Sequence, residues 1–170
     1  MMSVSLDTVQ AKIRDLVLQS GTNTRVIFVA PNAPRPELPY TVIEYEDQAI
    51  QGFDDECFDT DTDKLRLYGR RIMNFVLFFY GESSLDEATK VKSMFSFQTS
   101  TDILSENNDV SMAIAECDDI EYDYILRDDT YEKVCTFGVR LNVVMEPGST
   151  FIEPGYFDTV DPFDWINKPN

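Results

Sequence analysis

The sequence predicts an α+β fold, one domain in which two main helices accompany an antiparallel sheet. Three observations carry that expectation. Apolar residues recur at helical spacing in two stretches, Leu6–Ser20 and Leu85–Phe97. Elsewhere they alternate at the strand period of two. The stretch Arg71–Gly81 is apolar on both alternating faces, with Ile72, Val76, Phe78 and Tyr80 on one and Met73, Phe75, Leu77 and Phe79 on the other. It is rich in β-formers and too short for a membrane helix, so it reads as a strand covered on both sides. Phe78→Asp is accordingly expected to bury an unpaired charge and prevent folding.

In chain order, the first helix takes Leu6, Val9, Ile13, Leu16 and Val17 as its stripe, Ser5 as its N-cap and Ser20-Gly21 as its stop. Arg25–Ala30 is a short strand. Pro31–Pro39 carries four prolines and reads as a stiff extended link. Tyr40–Glu46 alternates as a strand, with Thr41, Ile43 and Tyr45 on one face and Val42, Glu44 and Glu46 on the other. Residues 44–63 hold nine acidic side chains and no basic one, and are read as an exposed loop or hairpin tip. Lys64, Arg66, Arg70 and Arg71 follow at once, a reversal of sign suited to neutralising the acids within one subunit or meeting those of a neighbour. Leu65 and Leu67 open a further strand, and Gly69 marks a bulge or turn before the central one.

Gly81 ends the central strand, and Ser84-Leu-Asp-Glu87 reads as a capping box for the second helix, whose stripe is Leu85, Ala88, Val91 and Phe95 with Met94 beside it. Asp102–Asn108 is a polar connection. Three strand-like runs follow, Val110–Cys117, Ile120–Leu126 and Tyr131–Val144, with turn signals at Asp118-Asp119 and Arg127–Thr130; they are expected to form an antiparallel meander. In the last run Tyr131, Cys135, Phe137, Val139, Leu141 and Val143 share one face, and Glu132, Thr136, Arg140 and Asn142 the other.

After Met145 prolines and glycines break any regular element, yet large apolar groups are interleaved with them. The expected organisation is therefore a domain over 1–145 and an extended aromatic and acidic arm over 146–170. The candidate partner-interface residues are Phe151, Tyr156, Phe157, Phe163 and Trp165 of the arm, together with Arg70 and Arg71.

Composition narrows the function. The 170 residues suit one domain with a sizeable core. With 31 acidic and 14 basic residues the net charge is −17, which repels nucleic-acid phosphate and anionic membranes. There is no histidine, so histidine acid–base chemistry, zinc triads and Ser-His-Asp hydrolysis are excluded. No GxxxxGK[ST] or GxGxxG phosphate cradle occurs. Asp59, Asp61 and Asp63 resemble the opening of a calcium loop, but Lys64 stands where its glycine belongs and Arg70 where its bidentate glutamate belongs. Carboxylate pairs abound without one standing out, and no catalytic residue, metal site or cofactor is assigned. Cys57, Cys117 and Cys135 lack CxxC spacing and read as free thiols of a reducing compartment. Met1–Asp7 lacks a basic region followed by an apolar one, so neither a signal peptide nor a membrane span is expected.

The order of elements resembles the phage neck or tail terminator family, the tail-completion proteins of long-tailed phages. The residues that carry the resemblance are Leu38-Pro39-Tyr40 after the proline link, Tyr80-Gly81 leading straight into a helix, and the final long strand after Asp128–Glu132. It covers roughly residues 5–145, leaving the arm and the acidic 44–63 stretch unexplained. It implies a twisted antiparallel sheet with helices packed on one face. It also implies a six-fold ring that caps the tail tube, stops tube and sheath polymerisation and joins the tail to the head connector. The implied partners are other copies of the chain, connector or neck proteins, and tail tube and sheath proteins. Genomic DNA would pass without specific binding, since an acidic bore removes the counterion-release term. The implied location is the virion neck, with assembly in the host cytoplasm. An acidic DNA mimic and an adaptor protein are the alternatives; solution mass separates a ring former from a mimic.

Overall fold

A computed structural model describes residues 5–22, 25–29, 34–59, 64–96, 100, 103–104, 112–127 and 129–145, with strand positions 54, 56–59, 64–67 and 127 as backbone only. The elements are α1 (Leu6–Gln19), β1 (Arg25–Phe28), β2 (Tyr40–Asp59), β3 (Lys64–Tyr80), α2 (Ser84–Phe95), β4 (Met112–Cys117), β5 (Glu121–Arg127) and β6 (Thr130–Met145). The segment 146–170 and the aspartates at 61 and 63 lie outside the described residues.

The six strands form one sheet in the order β1-β2-β3-β6-β4, with β5 also on β6. β3 is central, pairing antiparallel with β2 and with β6. The sheet is mixed, because β1 pairs parallel with β2. The cause is the connection: the proline-bearing segment between Phe28 and Tyr40 is too long and stiff for a hairpin and carries the chain back to the end it started from. The Leu38–Pro39 peptide within it is cis.

Both helices lie on one face. α1 is capped as its sequence predicts: the Ser5 hydroxyl accepts from the Thr8 N–H at 3.2 Å, and Val9, Ile13, Leu16 and Val17 are buried. Gly21 takes a φ of +77° just past its end, where glycine is least strained. At α2 the capping box does not form. Ser83 is the N-cap and Ser84 is already helical and buried, its hydroxyl accepting from the Cys135 thiol at 3.6 Å. The core under the helices joins the α1 stripe and Ala88, Val91 and Phe95 of α2 to Ile43, Met73, Phe75, Leu77, Phe79, Cys135, Phe137, Val139, Leu141 and Val143. Leu104, within the stretch read as a polar connection, is also buried there.

Four expectations need correction. The central strand is covered on one face only: Met73, Phe75, Leu77 and Phe79 are buried, whereas Ile72, Val76, Phe78 and Tyr80 are half-buried on the face away from the helices. Residues 44–59 are strand and not loop, since β2 continues to Asp59 against β3. A two-stranded ribbon that leaves the body has no core to face, so it needs no apolar alternation and tolerates acids. The irregularity expected at Gly69 sits on its partner strand, where Gly52, Phe53 and Asp54 intervene between Gln51↔Arg70 and Asp55↔Tyr68. Finally, β4, β5 and β6 are not a meander. β4 pairs with residues 139–143 of β6 and β5 with residues 130–136, end to end along the same edge. The Asp118 N–H bonds to the Gly138 carbonyl at 2.9 Å, which holds the link between β4 and β5 against β6.

Candidate functional site

Among the described residues no group of histidine, cysteine, aspartate or glutamate is placed to hold a metal ion. No described helix is long and apolar enough to cross a membrane. What the fold offers is surface.

The sheet's uncovered face carries two side-chain clusters. In the first, the Arg35 guanidinium bonds Glu132, its Nε donates to the Tyr40 hydroxyl at 2.9 Å, and it lies 5.5 Å from the Tyr40 ring centre. Tyr40 stacks on Tyr80 at 4.7 Å, and Phe78 stacks on Tyr80 in turn. The cluster ties the proline link to β2, β3 and β6, and Glu132 raises the Arg35 pKa further above its ordinary value. The second is a polar cavity of about 340 Å³ whose lining includes Glu46, Asn74, Asp118, Asp119, Glu121 and Arg140. Arg140 donates to Glu116 at 2.7 Å and to Asn74, and Lys92 meets Asp119 at 3.0 Å. Both ion pairs are solvated and add little to stability. The Asp118 carboxylate lies where a Cβ on Gly138 would sit. The cavity lining has more carboxylates than cations, so it repels anions.

Two thiols have described side chains, Cys117 and Cys135. Burial pushes Cys117 up to about 11 and raises Cys135 as well, so both stay protonated at neutral pH.

Exposed apolar groups concentrate at three places. On the hairpin of β5 and β6, Tyr122, Tyr124, Leu126 and Tyr131 share the helix side of the sheet and remain exposed, Tyr131 at 72%. The Tyr122 and Tyr124 rings meet edge to face at 5.3 Å, and their hydroxyls are 3.0 Å apart. That hydrogen bond raises the Tyr122 pKa. On the ribbon of β2 and β3, Ile50 and Phe53 are exposed, Phe53 at 99%. On the opposite flank from β5 the end of β1 exposes Val29, and α1 exposes Leu18.

The predicted interface arginines part company. Arg70 is exposed on the uncovered face beside Gln51, Met112 and Asn142. Arg71 is buried at 6% exposure on the helix face, its Nη1 donating to the Arg70 carbonyl at 3.1 Å. Phe151, Tyr156, Phe157, Phe163 and Trp165 lie outside the described residues. The tyrosines of β5 were legible as one strand face, but not as surface. Lengths supply the missing signal: the 12 residues of α2 span about 18 Å, the 16 of β6 about 53 Å, so the sheet outruns its helix.

A family model described as phage neck terminator protein matches residues 7–168, a span that includes most of the segment set apart as an arm. Among solved structures, the chain is similar in fold to the PVC sheath/tube terminator of an extracellular contractile injection system in its extended state. That likeness has a TM-score of 0.54 at 8% identity and covers 91% of this chain and 61% of that one. This chain thus spans less than two thirds of the length of its structural counterpart. A second likeness, to the type 4 fimbrial biogenesis protein PilO from Pseudomonas aeruginosa, has a TM-score of 0.28 at 10% identity over 84% of this chain and 71% of that one, too low a score to bear on the fold. No curated protein matches.

Proposed function

The chain belongs to the phage neck terminator family, and from that premise we propose that it forms the ring that closes the tail tube and joins the tail to the head connector. The observation that carries the reading is the family match over residues 7–168. The fold shared with a sheath/tube terminator supports it at the level of architecture.

The chemistry is in keeping. A terminator must present surfaces and catalyse nothing, and the exposed features described above are apolar patches and strand edges. Its partners in this reading are five further copies, the tail tube and sheath proteins below, and the connector above. The genome passes through the ring, and a chain of net charge −17 gives DNA no counterion-release gain, so it slides without sticking. The segment 146–170 is a docking arm in the same scheme, with Phe151, Tyr156, Phe157, Phe163 and Trp165 as its anchors and Arg70 as an exposed contact on the body.

A phage lacking the gene should make filled heads and separate tails that fail to join, some of them overlong, as counted by electron microscopy of lysates. Normal virions from that phage overturn the reading.

A further inference from the structure

The two lateral flanks of the sheet are unlike each other in a way that suits a second copy of the same chain. One flank is β1 with α1 packed beside it. The outer backbone edge of β1 pairs with no described strand, Arg25 and Val29 are exposed there, and α1 exposes Leu18. The other flank is β5. Its outer edge is likewise unpaired among the described residues, and Tyr122, Tyr124 and Leu126 are exposed on the helix side.

We propose that neighbouring copies join flank to flank, the β5 tyrosines of one against the β1 and α1 side of the next. The proposal rests on the ring reading above and assigns the surfaces that close it. Four observations support it. The two patches lie at opposite ends of one strand order, so a single contact repeats head to tail, the heterologous kind that generates rings. On the helix side the β5 tyrosines of one copy approach α1 of the next, and on the open face Arg25, whose ladder partner is Tyr40, approaches the side of Glu121 and Asp123.

Charge favours this pairing over a random one. Copies at −17 repel one another, so a contact needs a local attraction. Arg25 has no ion pair among the described residues, whereas Arg35, Lys90, Lys92, Lys133 and Arg140 each have one. The β5 flank presents Glu121 and Asp123. Lastly, Tyr122 and Tyr124 hold each other in place before any partner arrives, so little side-chain freedom is lost on contact, and tyrosine is a preferred anchor at interfaces. Unpaired strand edges are aggregation hazards that a closed ring removes.

The experiment uses the purified full chain, with mass read by light scattering and fold by circular dichroism, and the same chain on purified tails, read by chemical crosslinking. The wild type should form a multi-subunit ring. Tyr124→Asp with Leu126→Asp should abolish the ring peak while leaving the spectrum and thermal midpoint unchanged. Arg25→Glu should deplete the ring, and adding Asp123→Lys to it should restore it in part. Ile50→Asp with Phe53→Asp, on the ribbon, should leave the ring intact. A ring that survives the β5 substitutions, or that is lost only with the ribbon ones, overturns the flank assignment while the terminator reading stands. A wild type monomeric both in solution and on tails overturns the ring itself.

Discussion

Gly81 carries a φ of +119°, a conformation that side chains other than glycine seldom adopt, and a Cβ there would sit 3.1 Å from the Cβ of Pro39. Gly81→Ala should therefore lower stability by about 1–3 kcal/mol. The expected readout is a lower urea midpoint with an unchanged slope; an unchanged midpoint would mean that the turn relaxes freely. At this scale the sequence was half legible. That Gly81 ends the strand follows from its place after a β-run and before a helix. That it must be glycine depends on Pro39, a neighbour 42 positions earlier in the sequence, which no local pattern reveals. The same holds for Arg35, whose anchoring to Glu132 and Tyr40 joins the proline link to the last strand. Ser5 was readable as a cap because capping is local; Ser84 was misplaced by one residue because Ser83 beside it has the same chemistry.

The central strand shows what an element's pattern can and cannot reveal. Alternation in Arg71–Tyr80 assigned its eight apolar side chains to their correct faces, but both faces are apolar, and only packing decides which is deep. Phe79 is 1% exposed under the helices, between Thr41 and Cys135 in the ladder; Phe78 is half-buried on the open face. Phe79→Asp should thus prevent folding, since it buries a charge with no partner. Phe78→Asp, once expected to do so, should give a soluble folded chain with a reduced midpoint. Expression and circular dichroism of the pair check this, and equal loss of fold in both would show the open face to be as demanding as the covered one. α1 was legible to within a residue because cap, stripe and stop agree. β2 was cut short because its outer half has no core to face, and periodicity is a signal of burial before it is a signal of strand. The β5 flank was not read as surface, because alternation alone does not say whether a helix reaches far enough to cover one face.

At the scale of the whole molecule, a body with a full core on one sheet face is joined to a segment, 146–170, of five acids, one lysine and several large aromatics. In the docking-arm reading proposed above, each of those rings gains about 1.5–3 kcal/mol by burial against a partner surface. Deleting 146–170 should leave the thermal midpoint of the body almost unchanged and weaken assembly, as read by calorimetry and light scattering; an unfolded truncate would make the segment part of the core. Whole-molecule charge was fully legible from composition, whereas the sheet order was not, since several strand orders satisfy the same alternation. The order has a consequence in time. β4 and β5 pair with no described strand except β6, and β3 lacks one of its two neighbours until β6 is in place. The keystone strand is thus the last of the described strands in chain order. In the flank-to-flank ring proposed above, a partly made copy that lacks this closing strand would have no completed β5 flank to offer a neighbour.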